Sequence, residues 1–321
     1  MKKIIFSILL LAAFTGLHAQ QIPNWSSFYE NGFLWNPALT AKWNRWEFTA
    51  THRQEWTGFD GAPQTSTLTF QLPFISTITK SSIGFMVESD EIGPFSKESI
   101  GMSYNYRFRP ELFGNGDDVF SLGVLGRADF NRFNPQSLIF FDAGGDTPQT
   151  PTSFENTIRP NLDIGLFYTS VSDFYSFKSH YYFGISANRL MSGRVLRIGS
   201  GTVQSSIHGS FHAGYRHFPF RSDYFIETSL LVSNAETEAL NAMLSVRFEK
   251  EYKYWFSGGV VSNGEFFAQA GLILDEDSFL SALAGDGYYR IGVKMDYSIR
   301  ALGRYSGVGY EFYLAYLFEL E

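Results

Sequence analysis

Cysteine is absent from all 321 residues. The chain therefore has no disulfide, no thiolate metal ligand and no thiol nucleophile. A lipoprotein anchor is excluded with them, because it needs a cysteine at the cleavage site. Charge is scarce too: Asp, Glu, Lys and Arg make up 18% of the residues, and their balance is acidic, with a formal net charge of −7. Such a chain lacks the basic surface that nucleic acid requires. Long apolar runs are the third absence. Beyond Phe14, apolar and polar residues mix nearly everywhere, and no stretch reaches the roughly 20 apolar residues of a spanning helix. Catalytic signatures are missing as well. There is no Gly-x-Ser-x-Gly, no phosphate-binding loop and no His-Glu-x-x-His, so neither an enzyme nor a cofactor is expected.

Aromatic residues and glycine are plentiful: 33 Phe, 18 Tyr, 6 Trp and 30 Gly. That composition suits β architecture. The N-terminus reads as a secretory signal, with Lys2 and Lys3, the apolar run Ile4 to Phe14, and Leu17-His18-Ala19 before Gln20. Residues 1–19 are the expected signal peptide, 20–44 an N-terminal plug or docking segment, and 45–321 the main domain.

Period-two alternation carries the fold assignment, because successive strand residues point to opposite faces. From Ile100 to Arg109 one face shows Ile100, Met102, Tyr104, Tyr106 and Phe108; the other shows Gly101, Ser103, Asn105, Arg107 and Arg109. Ile291 to Arg300 alternates in the same way. Near the C-terminus Tyr310, Phe312, Leu314, Tyr316 and Phe318 share a side. Nine or ten alternating residues are about what a tilted strand needs to cross a bilayer, whereas strands of soluble proteins average about five or six. Tyr and Phe near strand ends suit interfacial girdles. Faces of Gly, Ser, Asn and Arg suit a hydrated lumen.

The expected fold is an all-β transmembrane barrel of the outer membrane with about 14 antiparallel strands. Their expected spans are 45–53, 65–73, 80–90, 97–109, 118–130, 159–169, 179–189, 206–216, 222–233, 240–250, 253–262, 264–274, 287–299 and 308–319. Lipid requires the sheet to close. An even count returns both termini to one side, expected to be periplasmic, and puts the long connection Asn131 to Ile158 outside. Arg53, Arg107, Arg109, Arg127, Asp129 and Asp163 fall on polar faces, where paired charges would fill a plugged interior. His208 and His212 share a face, but no further ligand accompanies them, so no metal site is expected.

Gln20 to Asn44 lacks alternation yet carries Trp25, Phe28, Tyr29, Phe33, Trp35 and Trp43. Such a segment is expected to pack in the barrel mouth or lumen, or to dock on another protein. Leu34-Trp35-Asn36-Pro37-Ala38 lies just before the first strand. Arg53-Gln54-Glu55-Trp56-Thr57-Gly58-Phe59-Asp60-Gly61-Ala62-Pro63-Gln64-Thr65 follows it, Asp90-Glu91-Ile92-Gly93-Pro94 follows the third, and Gly-Tyr-Glu-Phe-Tyr-Leu-Ala-Tyr-Leu-Phe ends the chain. In these motifs the whole chain after the signal resembles the PorP/SprF family of Bacteroidetes outer-membrane proteins, linked to type IX secretion and gliding motility. One departure is Glu55, which stands between Gln54 and Trp56 where the family usually has Gln next to Trp.

The resemblance implies a non-catalytic barrel that helps export, anchor or display a large surface protein. Implied partners are outer-membrane lipid, a secreted protein or adhesin with a C-terminal sorting domain, periplasmic ring components and a peptidoglycan-binding lipoprotein. Asn36, Pro37, Arg53, Trp56, Gly58, Phe59, Gly61, Pro63, Thr65, Asp90, Gly93 and Pro94 are the candidate partner-binding residues. The turn signals Gly61-Ala62-Pro63 and Gly93-Pro94 fall on neighbouring outward loops, where Trp56 and Phe59 could complete a docking patch. The alternative is an outer-membrane channel or porin for small solutes.

Overall fold

A computed structural model of the chain describes residues 29–75, 80–110, 116–134, 155–172, 178–191, 193–198, 201–220, 222–235, 240–251, 253–275, 287–299 and 303–318. The expected signal peptide lies outside them, as do Trp25 and Phe28.

The fold is a closed antiparallel barrel of fourteen strands. In chain order the described strands, these fourteen and the two of a separate hairpin (β8 and β9), are β1 (Trp46–Gln54), β2 (Gln64–Ile75), β3 (Lys80–Ile92), β4 (Phe95–Phe108), β5 (Val119–Phe133), β6 (Glu155–Thr169), β7 (His180–Asn188), β8 (Gly193–Ile198), β9 (Gly201–Ser205), β10 (His208–His217), β11 (Tyr224–Ala235), β12 (Asn241–Lys250), β13 (Tyr254–Val261), β14 (Glu265–Leu274), β15 (Gly287–Ser298) and β16 (Gly309–Phe318). Each barrel strand pairs with its neighbours in sequence. β1 closes on β16, from Trp46 opposite Phe318 to Gln54 opposite Tyr310. Closure leaves no lipid-exposed ladder along this seam, as a hydrocarbon environment demands.

All fourteen expected strands are present. The largest boundary shifts are at β5, which runs on to Phe133, and at β6, which begins at Glu155 rather than at 159. Residues 155–158 were expected in the long connection; they are strand because β5 runs on opposite them, from Ile158 facing Phe130 to Glu155 facing Phe133. The hairpin β8–β9 was not expected. It pairs only with itself, between β7 and β10.

Alternation sorts the side chains as expected. On β4, Ile100, Met102 and Tyr104 are 50%, 53% and 50% exposed, while Ser99, Ser103 and Asn105 on the opposite face are buried. The outer face is therefore apolar and the inner face polar, the reverse of a water-soluble sandwich. Aromatic pairs stack at the strand ends, such as Tyr316 with Phe318 and Tyr224 with Phe248. β1 starts and β16 finishes at the same end of the barrel. The connections after β1, β3, β5, β7, β11, β13 and β15 gather at the opposite end, here called the rim.

Before β1, the chain folds into one helical turn, Gly32–Trp35, and a 3-10 turn, Pro37–Leu39. Neither could stand alone in water at this length. Both are held by the barrel wall.

Candidate functional site

The segment from Tyr29 to Arg45 enters the lumen as a re-entrant plug. Asn36 organises it. Its Oδ1 accepts a hydrogen bond from the N–H of Ala38 at 2.9 Å, capping the 3-10 turn, and Pro37 supplies the fixed φ that the first position favours. Its Nδ2 donates to the carbonyls of Leu166 on β6, at 2.9 Å, and Ile185 on β7, at 3.3 Å. Inward polar side chains then hold the plug backbone. Ser186 and Asn188 donate to the carbonyl of Trp35 at 2.7 and 3.0 Å. Ser82, Asn105 and Arg107 donate to that of Thr40 at 2.9, 3.1 and 2.6 Å. Gln71 accepts from the N–H of Ala41 at 2.8 Å. The plug's own backbone bonds are those of its short turns, such as Asn36 N–H to the carbonyl of Gly32 and Leu39 N–H to that of Asn36, and wall side chains replace water for other buried polar groups.

Close approach explains why inward positions of β3, β5 and β6 carry glycine. A Cβ on Gly123 would lie 2.1 Å from the nitrogen of Ala38, and one on Gly165 1.9 Å from Asn36 Oδ1. On Gly84 it would press on Thr40 and Phe33. Above this cradle, Trp35 packs with Leu231, Met243, Val261 and Phe267, and Phe33 with Met86 and Leu125. The lumen thus carries an apolar layer at plug height.

Charged layers lie on both sides of it. On the side away from the rim, Glu30 is buried against Arg247 of β12 and Arg290 of β15, the latter at 3.5 Å. Arg290 also grips Glu249 through two bonds of 3.0 Å. Burial alone would raise the Glu30 carboxyl, but Arg247 and Arg290 outweigh it and hold it below the ordinary range. The ring of Tyr29 is faced by Lys42, Arg216 and Arg247 at 4.7, 5.5 and 4.2 Å from its centroid. Burial pushes the Lys42 ammonium down to about 8, against the pull of Glu30. On the rim side, Arg53 meets Asp296 at 3.2 Å, Glu311 at 3.4 Å and Glu55. Arg127 pairs with Asp163 and Lys97 with Glu88, each at 2.8 Å.

The rim loops are tied to one another. Gly58 donates its N–H to the carbonyl of Ser306 at 2.9 Å, and Thr57 Oγ1 donates to that of Val308 at 2.8 Å, joining the β1–β2 and β15–β16 loops. Gly93 donates its N–H to the carbonyl of Gly61 at 3.0 Å, joining the β1–β2 loop to the β3–β4 turn. Asn134 donates its N–H to the carbonyl of Pro94 at 2.8 Å and extends the chain of contacts beyond β5. Gly61 and Gly93 have φ of +72° and +55°, left-handed values that favour glycine.

The twelve candidate residues divide between the plug, the inner wall and the rim. Asn36, Pro37, Arg53, Pro63, Thr65 and Asp90 are buried, with Thr65 Oγ1 donating to Asp90 at 2.8 Å. Trp56, Gly58, Phe59, Gly61 and Gly93 are exposed at the rim, and Pro94 is half-buried beside them. Arg107 binds the plug, whereas Arg109 lies past the end of β4 and is exposed. His208 and His212 are buried in the wall, and among the described residues no group of metal-ligating side chains converges on them.

The sequence profile of the type IX secretion system membrane proteins PorP/SprF matches residues 17–316. The chain belongs to the PorP/SprF family. A comparison with curated proteins gave no match. Among solved structures, the chain is similar to the CymD monoaromatic hydrocarbon channel (TM-score 0.53, 9% identity, covering 91% of this chain and 93% of that one). It is also similar to a FadL homologue of Pseudomonas aeruginosa (0.51, 11%, 94% and 95%) and to the toluene transporter TodX of Pseudomonas putida (0.52, 8%, 95% and 96%). At these identities the likeness establishes the fold, an outer-membrane barrel. The family is a secretion component, and its membrane is the outer one.

For this PorP/SprF barrel, several contacts were not foreseen from the sequence. The glycines at 84, 123 and 165 stand at inward positions within long strands, which was the one available sign of a close approach. Ser186, Asn188 and Asn105 gave no sign, because small polar residues suit any lumen. The short helical turn Gly303–Ser306, with Tyr305 exposed beside the β1–β2 loop, had read only as connection.

Proposed function

We propose that this barrel is a non-catalytic docking platform of the type IX secretion system. It holds a large secreted surface protein, through that protein's C-terminal sorting domain, at the rim formed by the β1–β2, β3–β4 and β15–β16 loops. The end bearing the start of β1 and the end of β16 faces the periplasm, after removal of a signal peptide, and is where ring components and a peptidoglycan-binding lipoprotein would attach.

One observation carries this reading. The lumen is filled by the chain's own N-terminal segment, anchored at Asn36 and Glu30 on opposite walls, while the rim loops are linked and present Trp56, Phe59 and Tyr305 outward. Rigid loops bearing exposed rings suit a binding surface, since little ordering entropy is lost on contact. A diffusion channel would need the space the plug occupies. The purified barrel in planar bilayers should be nearly silent, and cells carrying rim variants should lose surface display of the client. Large, steady currents together with normal display would overturn the proposal in favour of a solute channel.

A further inference from the structure

A groove of about 640 Å³ lies on the outer wall, across the strands that close the barrel, from β15 and β16 over β1 and β2 to β3. Its sides are Phe312, Leu314, Ile291, Leu68 and Val87, all exposed on the outer face. Ala50 opens it. The outward positions opposite Ala50, Leu314 on β16 and Leu68 on β2, carry long side chains, and the preceding outward residue of β1, Phe48, carries a ring. A single methyl among them leaves the backbone at Thr51 and Thr67, whose side chains are buried on the inner face, as the floor.

The groove changes polarity along its length. His52 faces Ser66 across β1 and β2, and Ser66 faces Ser89 across β2 and β3. These polar side chains mark one end, and Leu314 and Ile291 mark the other. Followed across the strands in the opposite direction, the row of Ser89, Ser66 and His52 passes Phe312 and reaches Phe248, beside the end of β12 away from the rim. Strand tilt thus carries such a row away from the rim between β3 and β15, and the polar end of the groove is its rim-side end. At the next outward position toward the rim, Tyr310 donates its hydroxyl hydrogen to Gln54 Oε1. His52 therefore stands one step inside the rim-side border of the apolar band. Its Nδ1 shares a hydrogen bond of 2.9 Å with Ser66 Oγ, and its Nε2 has no partner among the described residues. Polar groups turned toward hydrocarbon are costly, and an ionisable one there marks a site.

We propose that this groove binds one membrane lipid of the rim-side leaflet. An acyl chain lies on Ala50 between Leu68 and Leu314 and runs on toward Ile291. Its ester or amide oxygen, at the border of the hydrocarbon, accepts a hydrogen bond from His52 Nε2, with the hydroxyls of Ser66 and Ser89 beside it. Ser66 donating to Nδ1 sets the tautomer that leaves the hydrogen on Nε2. The order of polarity is that of a lipid standing in its leaflet: hydroxyls and imidazole at the interface, branched apolar side chains deeper in. Lipid tails are as apolar as the wall, so packing and hydrogen bonds decide what stays bound. A flexible chain reaches the floor at Ala50 and gains contacts that an unfilled groove forfeits, whereas the convex wall of a second barrel does not reach it. The site uses only the outer wall and does not depend on what docks at the rim.

The test is native mass spectrometry of the full-length barrel in detergent, with dimyristoylphosphatidylethanolamine as probe. One lipid should stay bound to the wild type under conditions that strip the others. Ala50→Phe fills the floor and His52→Leu removes the donor. Each should lower the bound fraction about tenfold. Both put apolar side chains on a lipid-facing surface, so the barrel should stay folded by heat-modifiability. Val124→Phe, on the outer face of β5, should leave the bound fraction unchanged. If Ala50→Phe does not fold, His52→Leu decides alone. No retained lipid in the wild type, undiminished retention in the groove variants, or an equal loss in Val124→Phe overturns the proposal. A two-barrel species that Ala50→Phe abolishes also overturns it and gives the groove to a second copy of the chain.

Discussion

A Cβ on Gly165 would lie 1.9 Å from Oδ1 of Asn36, so the plug turn and the β6 wall fit together only because that strand position has no side chain. The same oxygen caps the 3-10 turn, and the amide nitrogen beside it bonds two wall carbonyls. One glycine and one asparagine thus couple plug conformation to wall spacing.

Gly165→Ala and Gly123→Ala should therefore unseat the plug while leaving the outer face unchanged. Overpacking of this kind costs about 1–3 kcal/mol, and here the clash falls on the plug rather than on the barrel ladder. Bilayer recordings are expected to show leak currents in both variants and little in the wild type. Equal silence in all three would mean that the plug adapts to the added methyl.

Glu30→Gln removes the plug's charge from between Arg247 and Arg290. Breaking a buried pair costs on the order of 3 kcal/mol; Glu249 remains to both arginines and reduces that figure. The expected result is a leak and faster proteolysis near Tyr29, with heat-modifiability of the barrel retained. Substituting Glu98, whose ion pair with Arg132 is exposed, should leave both measurements unchanged.

Lys42 gives the plug a pH dependence. Its ammonium titrates at about 8 in the folded chain against an ordinary 10.5. Between those values the unfolded chain holds a proton that the seated plug lacks, so seating strengthens as pH rises through this window. Residual leak should fall between about pH 7.5 and pH 9.5 in the wild type and stay flat in Lys42→Met. A leak that grows with pH in the wild type would contradict the assignment.

At the rim, Trp56→Ala removes an exposed ring without touching the barrel ladder, and Pro63→Gly loosens the loop whose carbonyl takes the N–H of Glu55 at 2.9 Å. Both should fold and insert normally but show reduced client at the cell surface. Gly93→Val should act in the same direction, because a branched side chain disfavours the φ of +55° that lets Gly93 reach Gly61. Undiminished display in all three would remove the rim from the account.

The strand count, the two faces and the barrel were legible from the sequence because lipid imposes a period-two rule on every strand, and that rule is local. Ile100, Met102 and Tyr104 declare their face without reference to any other part of the chain. The position of the plug was partly legible, since six aromatic residues before β1 must be buried somewhere. Which wall residues hold it was decided only by the closed structure. Asn36 meets Leu166 and Ile185 across separations of 130 and 149 residues, and a lumen-facing serine or asparagine looks the same whether it meets water or a carbonyl. The stagger by which β6 runs on past the end of β7 is likewise a matter of register between strands, which no local pattern in the sequence could give.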